Sequence, residues 1–346
     1  MLGRTSSLAM IPKSRGIISH HLTEQEYEEL MHKRTVNEIA IYLRNHPYFH
    51  DSFVGIQEPE IHRERLEDLL SRDIYYKFES LRRYDFSSGK FAHFFLIDCE
   101  VHELLYALHL LSTGGAESYI IRLPGFLTNQ TSFDLIGLAH ARNFTEFLAV
   151  VRHTPYYGLL RPLLTGGASF DYAACERALR SYYYTETLEL IDKNFPAKER
   201  PAVKELFTRE AEIYNLDLIY RIKSFFPGSY TPKEIEELLL PVSFEIPRKR
   251  MLEMAAARDL RQLATIYKGY GYDKDYGDFE VESSSACAWR QLYHKSMRIL
   301  RFSLSPGTVL AALLLLAKIE RSNIINIIEG VRYHLDPSDI RLLLKY

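Results

Sequence analysis

Few residues in this 346-residue chain combine a reactive type with a spacing that would let them act together. Cys99, His102 and His109 share one stripe of a helical segment, and three such groups converging would suit a metal ion. In a stretch this rich in Leu, the same stripe reads as core packing. His20 and His21 are adjacent, so their rings diverge on a helix, and no H-E-x-x-H occurs. Asp273-Lys274-Asp275-Tyr276-Gly277-Asp278 has the acidic spacing of a calcium loop, but Asp278 stands where that loop needs Gly, and Ser284 where it needs Glu. Gly89-Lys90 lacks the upstream Gly and downstream hydroxyl of a phosphate cradle, and Gly269-Tyr270-Gly271 lacks the third Gly and preceding strand of a dinucleotide loop. Gly-x-Ser-x-Gly is absent. These patterns predict no catalytic group, no metal and no cofactor.

A different pattern recurs. Glu100-x-x-Glu103, Glu212-x-x-Asn215 and Glu320-x-x-Asn323 lie 112 and 108 residues apart, each followed by Leu or Ile. At i and i+3 the two polar groups share a helix face. Either the acids sit on a solvated surface, or each anchors a buried polar contact between neighbouring helices, repeated because each copy packs alike.

The elements around these residues read as helices. Leu occurs 48 times and Val 10, and β-branched side chains lose rotamer freedom in a helix. Thr23 with Glu26 predicts a capping box, and Thr231-Pro232-Lys233-Glu234 and Asp336-Pro337-Ser338-Asp339 predict helix starts with a cap, a first-turn Pro and an acid. Leu30 to Tyr48 and Leu138 to Tyr156, offset by 108, share seven identities: Leu30/Leu138, His32/His140, Arg34/Arg142, Glu38/Glu146, Arg44/Arg152, Pro47/Pro155 and Tyr48/Tyr156. Arg72, Tyr75 and Tyr76 map likewise onto Arg180, Tyr183 and Tyr184, while a fainter third copy places Tyr270-Gly271-Tyr272 opposite Thr154-Pro155-Tyr156. The chain therefore reads as all-α, built from three related units. Periods near 34 or 40 residues, expected of common helical solenoids, are absent.

Composition narrows the function classes. Lys plus Arg total 43 against 45 acids, leaving no basic excess for a nucleic-acid partner, and Pro247-Arg248-Lys249-Arg250 reads as a solvated helix start. Tyr75-Tyr76, Tyr156-Tyr157 and Tyr182-Tyr183-Tyr184 lack accompanying basic residues and read as packing rather than base-stacking platforms. Cys99, Cys175 and Cys287 form no CxxC pair, as expected of reduced thiols in a cytoplasmic compartment. The N-terminus shows no signal pattern, and the longest apolar run, Val309 to Ala317, falls well short of the roughly 18 residues a bilayer requires. Membrane association is thus expected only through a protein partner.

These motifs resemble a family of central-stalk proteins of the rotary ATPases, the C-type stalk component of archaeal and bacterial V/A-type ATPases (ATP synthases) and the d-type component of eukaryotic V-ATPases. The resemblance rests on Asn143-Phe144-Thr145-Glu146-Phe147 leading to His153-Thr154-Pro155-Tyr156-Tyr157, on Glu210-Ala211-Glu212-Ile213-Tyr214-Asn215-Leu216 running to Arg221-Ile222-Lys223, on Glu320 with Asn323-Ile324, and on the Leu123-Pro124-Gly125 turn. Glu103, Gly271 and Ile325-Asn326 depart from the family pattern. The resemblance implies three pseudo-threefold-related helical lobes forming a funnel, here 1–120, 121–235 and 236–346. It further implies a non-catalytic rotor adaptor on the cytoplasmic side of the membrane, between the central shaft subunits and the proteolipid ring, with no small-molecule ligand. Glu212, Asn215, Glu320, Asn323, Pro155 and Tyr156 are its structural motif residues. Because one asymmetric shaft would meet a pseudo-symmetric socket, the copies are expected to differ most on their inward faces. The competing readings are an all-α metal-dependent enzyme using scattered His and Asp, and a general helical scaffold with unrelated partners.

Overall fold

All regular secondary structure among the described residues is helical, in keeping with the Leu excess. The computed structural model describes residues 8–82, 84, 93–115, 119, 123–165, 170–267 and 284–346. Gly89-Lys90, Gly269-Tyr270-Gly271, Asp273 to Asp278 and the third-copy Tyr270-Gly271-Tyr272 lie outside the described residues. In chain order the helices are α1 (Met10–Ile18), α2 (Glu24–Met31), α3 (Val36–Asn45), α4 (His50–Phe53), α5 (Arg63–Arg82) and α6 (His93–Thr113). After a 3₁₀ turn at Gly125–Leu127 follow α7 (Leu135–His140), α8 (Phe144–Val150), α9 (Pro155–Thr165), α10 (Tyr172–Asn194) and α11 (Arg200–Phe225). The chain continues through α12 (Pro232–Leu238), α13 (Arg248–Ala255), α14 (Leu260–Tyr267), α15 (Ser284–Phe302), α16 (Pro306–Arg332) and α17 (Pro337–Leu342).

Short polar exchanges set the helix starts. Thr23/Glu26 at α2 and Thr231/Glu234 at α12 form reciprocal capping boxes. Asp336 makes no side-chain cap bond, and α17 begins instead on Pro337, whose fixed φ suits the first helical turn. One device recurs at α3, α8 and α14. The N–H of Arg34 donates to Glu38 (2.9 Å), that of Arg142 to Glu146 (2.8 Å) and that of Arg258 to Gln262 (2.8 Å). Thr35, Asn143 and Asp259 in turn accept from the N–H groups of Glu38, Glu146 and Gln262.

The long helices follow one another as α5 and α6, α10 and α11, and α15 and α16; α10 packs on α11 and α15 on α16, and further contacts link one couple to the next. α10 lies on α6, α15 on α11, and α5 on α16, so the last contact returns the end of the chain to its beginning. A large core joins residues from Met10 to Ile319, and a second joins Leu22 through Leu70 to Ile324, Ile327, Ile328, Val331, Ile340 and Leu344. Tyr27 stacks on Tyr346 at 4.8 Å and Glu28 accepts from Arg341 at 2.6 Å, tying α2 to the C-terminal segment. The apolar run Val309 to Ala317 is buried in α16, and no helix among the described residues is long and apolar enough to cross a membrane.

α16 ends in a Schellman motif: Leu335 N–H donates to Gly330 O (2.9 Å) and His334 N–H to Val331 O (3.2 Å), with His334 at φ 56°. This reversal folds α17 back so that Ile340 packs on Gly330, where a Cβ would lie 2.4 Å from Ile340 Cγ1. Gly330→Ala is therefore expected to lower stability by about 1–3 kcal/mol, despite the better helix propensity of Ala. Chemical denaturation of the purified chain checks this, and an unchanged or raised midpoint would show that α17 docks without the close approach.

Candidate functional site

Burying a carboxylate is costly unless several donors answer it. Three long helices each bury one: Glu100 on α6 is 6% exposed, Glu212 on α11 0% and Glu320 on α16 6%. Each accepts from backbone immediately ahead of a short helix that belongs to a different stretch of the chain. Glu100 accepts from Ser132 N–H, ahead of α7, and from the Tyr156 hydroxyl at 2.5 Å. Glu212 accepts from the N–H groups of Phe244 (2.6 Å), Ile246 (2.9 Å) and Glu245 (3.2 Å), ahead of α13. Glu320 accepts from Leu22 N–H at 3.0 Å, ahead of α2 and 298 residues away in sequence.

The other motif residues sit around these bonds. Pro155 opens α9 and Tyr156, 1% exposed, reaches back to Glu100. Asn215 grips the segment after α12, its Oδ1 accepting from Leu240 N–H (2.7 Å) and its Nδ2 donating to Leu240 O (3.1 Å). Asn323 Oδ1 accepts from Lys345 N–H (2.9 Å), the segment after α17. At the corresponding place Glu103 accepts from the Tyr119 hydroxyl at 2.7 Å. Glu100 and Glu212 thus reach forward in the chain and Glu320 back to its beginning, while Glu103, Asn215 and Asn323 each hold a segment C-terminal to their own helix.

Glu320 shares its surroundings with other titratable groups. Burial pushes its carboxyl up to about 7, against the pull of Lys77, the Leu22 N–H and the Tyr48 hydroxyl. Nearby, buried Asp73 is paired with Lys77 on α5 and accepts from Ser52 at 2.7 Å. Burial raises Asp73 and lowers Lys77, both toward their neutral forms.

Two residues before each of these carboxylates stand Asp98, Glu210 and Lys318, and they meet. Lys318 Nζ lies 2.9 Å from Asp98 and 3.3 Å from Glu210, joining α6, α11 and α16 at one point beside Tyr183. Burial alone would depress the Lys318 ammonium, but Asp98 and Glu210 outweigh it and hold it above its ordinary value. Burial pushes Glu210 up, Lys318 opposing. A cavity of about 480 Å³ opens next to this junction, and Lys318, Glu210, Arg321, Glu103, His102 and Cys99 are among its lining residues. His102 and His109 are exposed on a stripe that borders this cavity, and the His109 ring meets Tyr172 of α10 edge-on at 6.0 Å. The Cys99 thiol is pushed up by burial, and no set of metal-ligating side chains converges among the described residues.

The profile of the ATP synthase (C/AC39) subunit family matches residues 10–343. The chain belongs to that family. No curated protein is similar enough in sequence to match. For this ATP synthase subunit, the sequence patterns located the recurring Glu but not the meeting of Asp98, Glu210 and Lys318, since Asp, Glu and Lys at equivalent positions leave no repeated identity to detect. Arg258-Asp259 and Gln262 were missed as the third copy of the helix entry because they follow Arg142 and Glu146 by 116 residues rather than 108.

Two outcomes follow for the carboxylates of this protein. Glu212→Gln leaves one oxygen to accept from three N–H groups and turns an amide toward donors, so it is expected to cost on the order of 2–4 kcal/mol in chemical denaturation. A cost below about 0.5 kcal/mol would show that solvent already serves those groups. For Glu320 the folded carboxyl titrates about 7 against 4.5 for its ordinary value. Between those pH values the folded state binds more protons than the unfolded one, so stability falls as pH rises. Relative to wild type, Glu320→Gln is expected to gain on the order of 1–3 kcal/mol between pH 4.5 and 7.5. A pH-independent difference would contradict the assignment.

Proposed function

We propose that this protein is the non-catalytic rotor adaptor of a V/A-type ATPase, coupling the central shaft to the membrane proteolipid ring from the cytoplasmic side. In this reading 1–120, 121–235 and 236–346 form three helical lobes about a pseudo-threefold axis, with a funnel open to the shaft. The observation that carries it is the cyclic order of contacts. Glu100 reaches the start of the second unit, Glu212 the start of the third, and Glu320 returns to the first. The helix pairs follow the same order, and Asp98, Glu210 and Lys318 meet where an axis would pass. Their differing charges fit an inner surface that has diverged to meet an asymmetric shaft.

A coupling element must neither slip nor bend, and close-packed helices with few voids resist deformation. Membership of an ATP synthase subunit family, together with helices too short or polar to span a bilayer among the described residues, fits attachment through protein partners. The test is affinity isolation of the tagged chain from detergent-solubilised membranes. Shaft subunits and proteolipid are expected together in the isolate, and recovery of neither at low ionic strength would overturn the reading.

A further inference from the structure

Among the described residues, the cavity beside the helix junction contains one cation, Arg321, with a buried donor that no acceptor meets. Arg321 follows Glu320 on α16, and its Nε is shut off from solvent without a hydrogen-bond partner. The other charged groups of the cavity already have partners. Lys318 holds Asp98 and Glu210, Arg180 Nε donates to Glu176 at 2.8 Å, and Glu103 accepts from Tyr119 and lies beside His102. Burial pushes the Arg321 guanidinium down from its ordinary value, with Glu67, Asp98 and Glu103 opposing. A guanidinium with a buried Nε that nothing accepts weakens the isolated chain, and sites that break a rule of stability are where function is to be sought.

The chemistry that would satisfy Arg321 is a planar oxyanion, because the guanidinium presents its donors as a fork that matches a carboxylate. The size and walls of the cavity decide the source. At about 480 Å³, with Ile74, Leu105, Tyr106, Phe126 and Tyr172 around it, the space is far larger than a free small anion and is apolar enough for a helix end with its side chains. We propose that this cavity receives an Asp or Glu side chain inserted by another component of the ATPase, and that Arg321 is the residue that binds it. The inference rests on the adaptor reading only for the identity of the partner.

The test uses the assembled complex with R321K and R321Q chains. Carbodiimide condenses a lysine amine with a carboxyl group, with loss of water, so R321K places a zero-length probe in the cavity. The expected result is an amide cross-link from position 321 to an acidic residue of another subunit, absent in R321Q. R321Q is also expected to bind that subunit at least tenfold more weakly, while raising the melting temperature of the isolated chain. A merely structural Arg321 would not produce that opposite movement of stability and affinity. Equal binding by wild type and R321Q, or cross-links only to Asp98, Glu103 or Glu210, would overturn the inference and leave the adaptor reading standing. Stabilisation of the isolated wild-type chain by millimolar acetate or phosphate, lost in R321Q and without an intersubunit cross-link, would assign the site to a free anion and equally overturn it. A wild-type chain that binds no other subunit would remove both readings.

Discussion

Carboxyl groups inside a helical protein must be met by hydrogen-bond partners, and this fold meets Glu100, Glu212 and Glu320 with backbone from elsewhere in the chain. The donors lie just ahead of short helices, where N–H groups are unpaired and the helix dipole favours negative charge. One interaction thus satisfies two otherwise costly groups at once. Because two of the three bonds link segments that follow one another and the third links the last long helix to the first helices, packing between distant parts is fixed by polar bonds with strict geometry. The apolar cores alone would tolerate sliding, since hydrophobic contact is not directional.

The third bond contrasts most with the second, at Glu212. Glu320 draws on a single N–H, from Leu22, and shares its surroundings with Lys77, Asp73 and Tyr48, whereas Glu212 holds three successive N–H groups. Around it the second core, the Tyr27–Tyr346 stack and the Glu28–Arg341 pair join the two ends of the chain. Closure therefore depends on a weaker polar bond supported by apolar and surface contacts, and it is here that pH enters the stability of the fold.

Much of the architecture was legible in the residues. The Leu excess, the capping pairs Thr23/Glu26 and Thr231/Glu234, and the recurrence of Glu100, Glu212 and Glu320 are local or periodic signals that survive without coordinates. What those carboxylates touch was not legible, because Leu22 and Glu320 are joined by folding rather than by spacing. The junction of Asp98, Glu210 and Lys318 was hidden for a different reason. It works through complementary charge, so the equivalent positions must differ, and a search for identity passes over them. The exposed His102 and His109 show the converse limit: helical periodicity places residues on a stripe but does not say whether that stripe meets a neighbour or a cavity.

The most direct measurement is amide hydrogen exchange on the intact chain at neutral pH, resolved at Leu22, Ser132, Phe244 and Ile246. These four N–H groups precede helices and have no need of helical bonds, so their protection reports the carboxylates themselves. The account predicts protection approaching that of the long-helix cores at all four, with Leu22 the least protected. Exchange at the rate of exposed loops at any of these sites would contradict it.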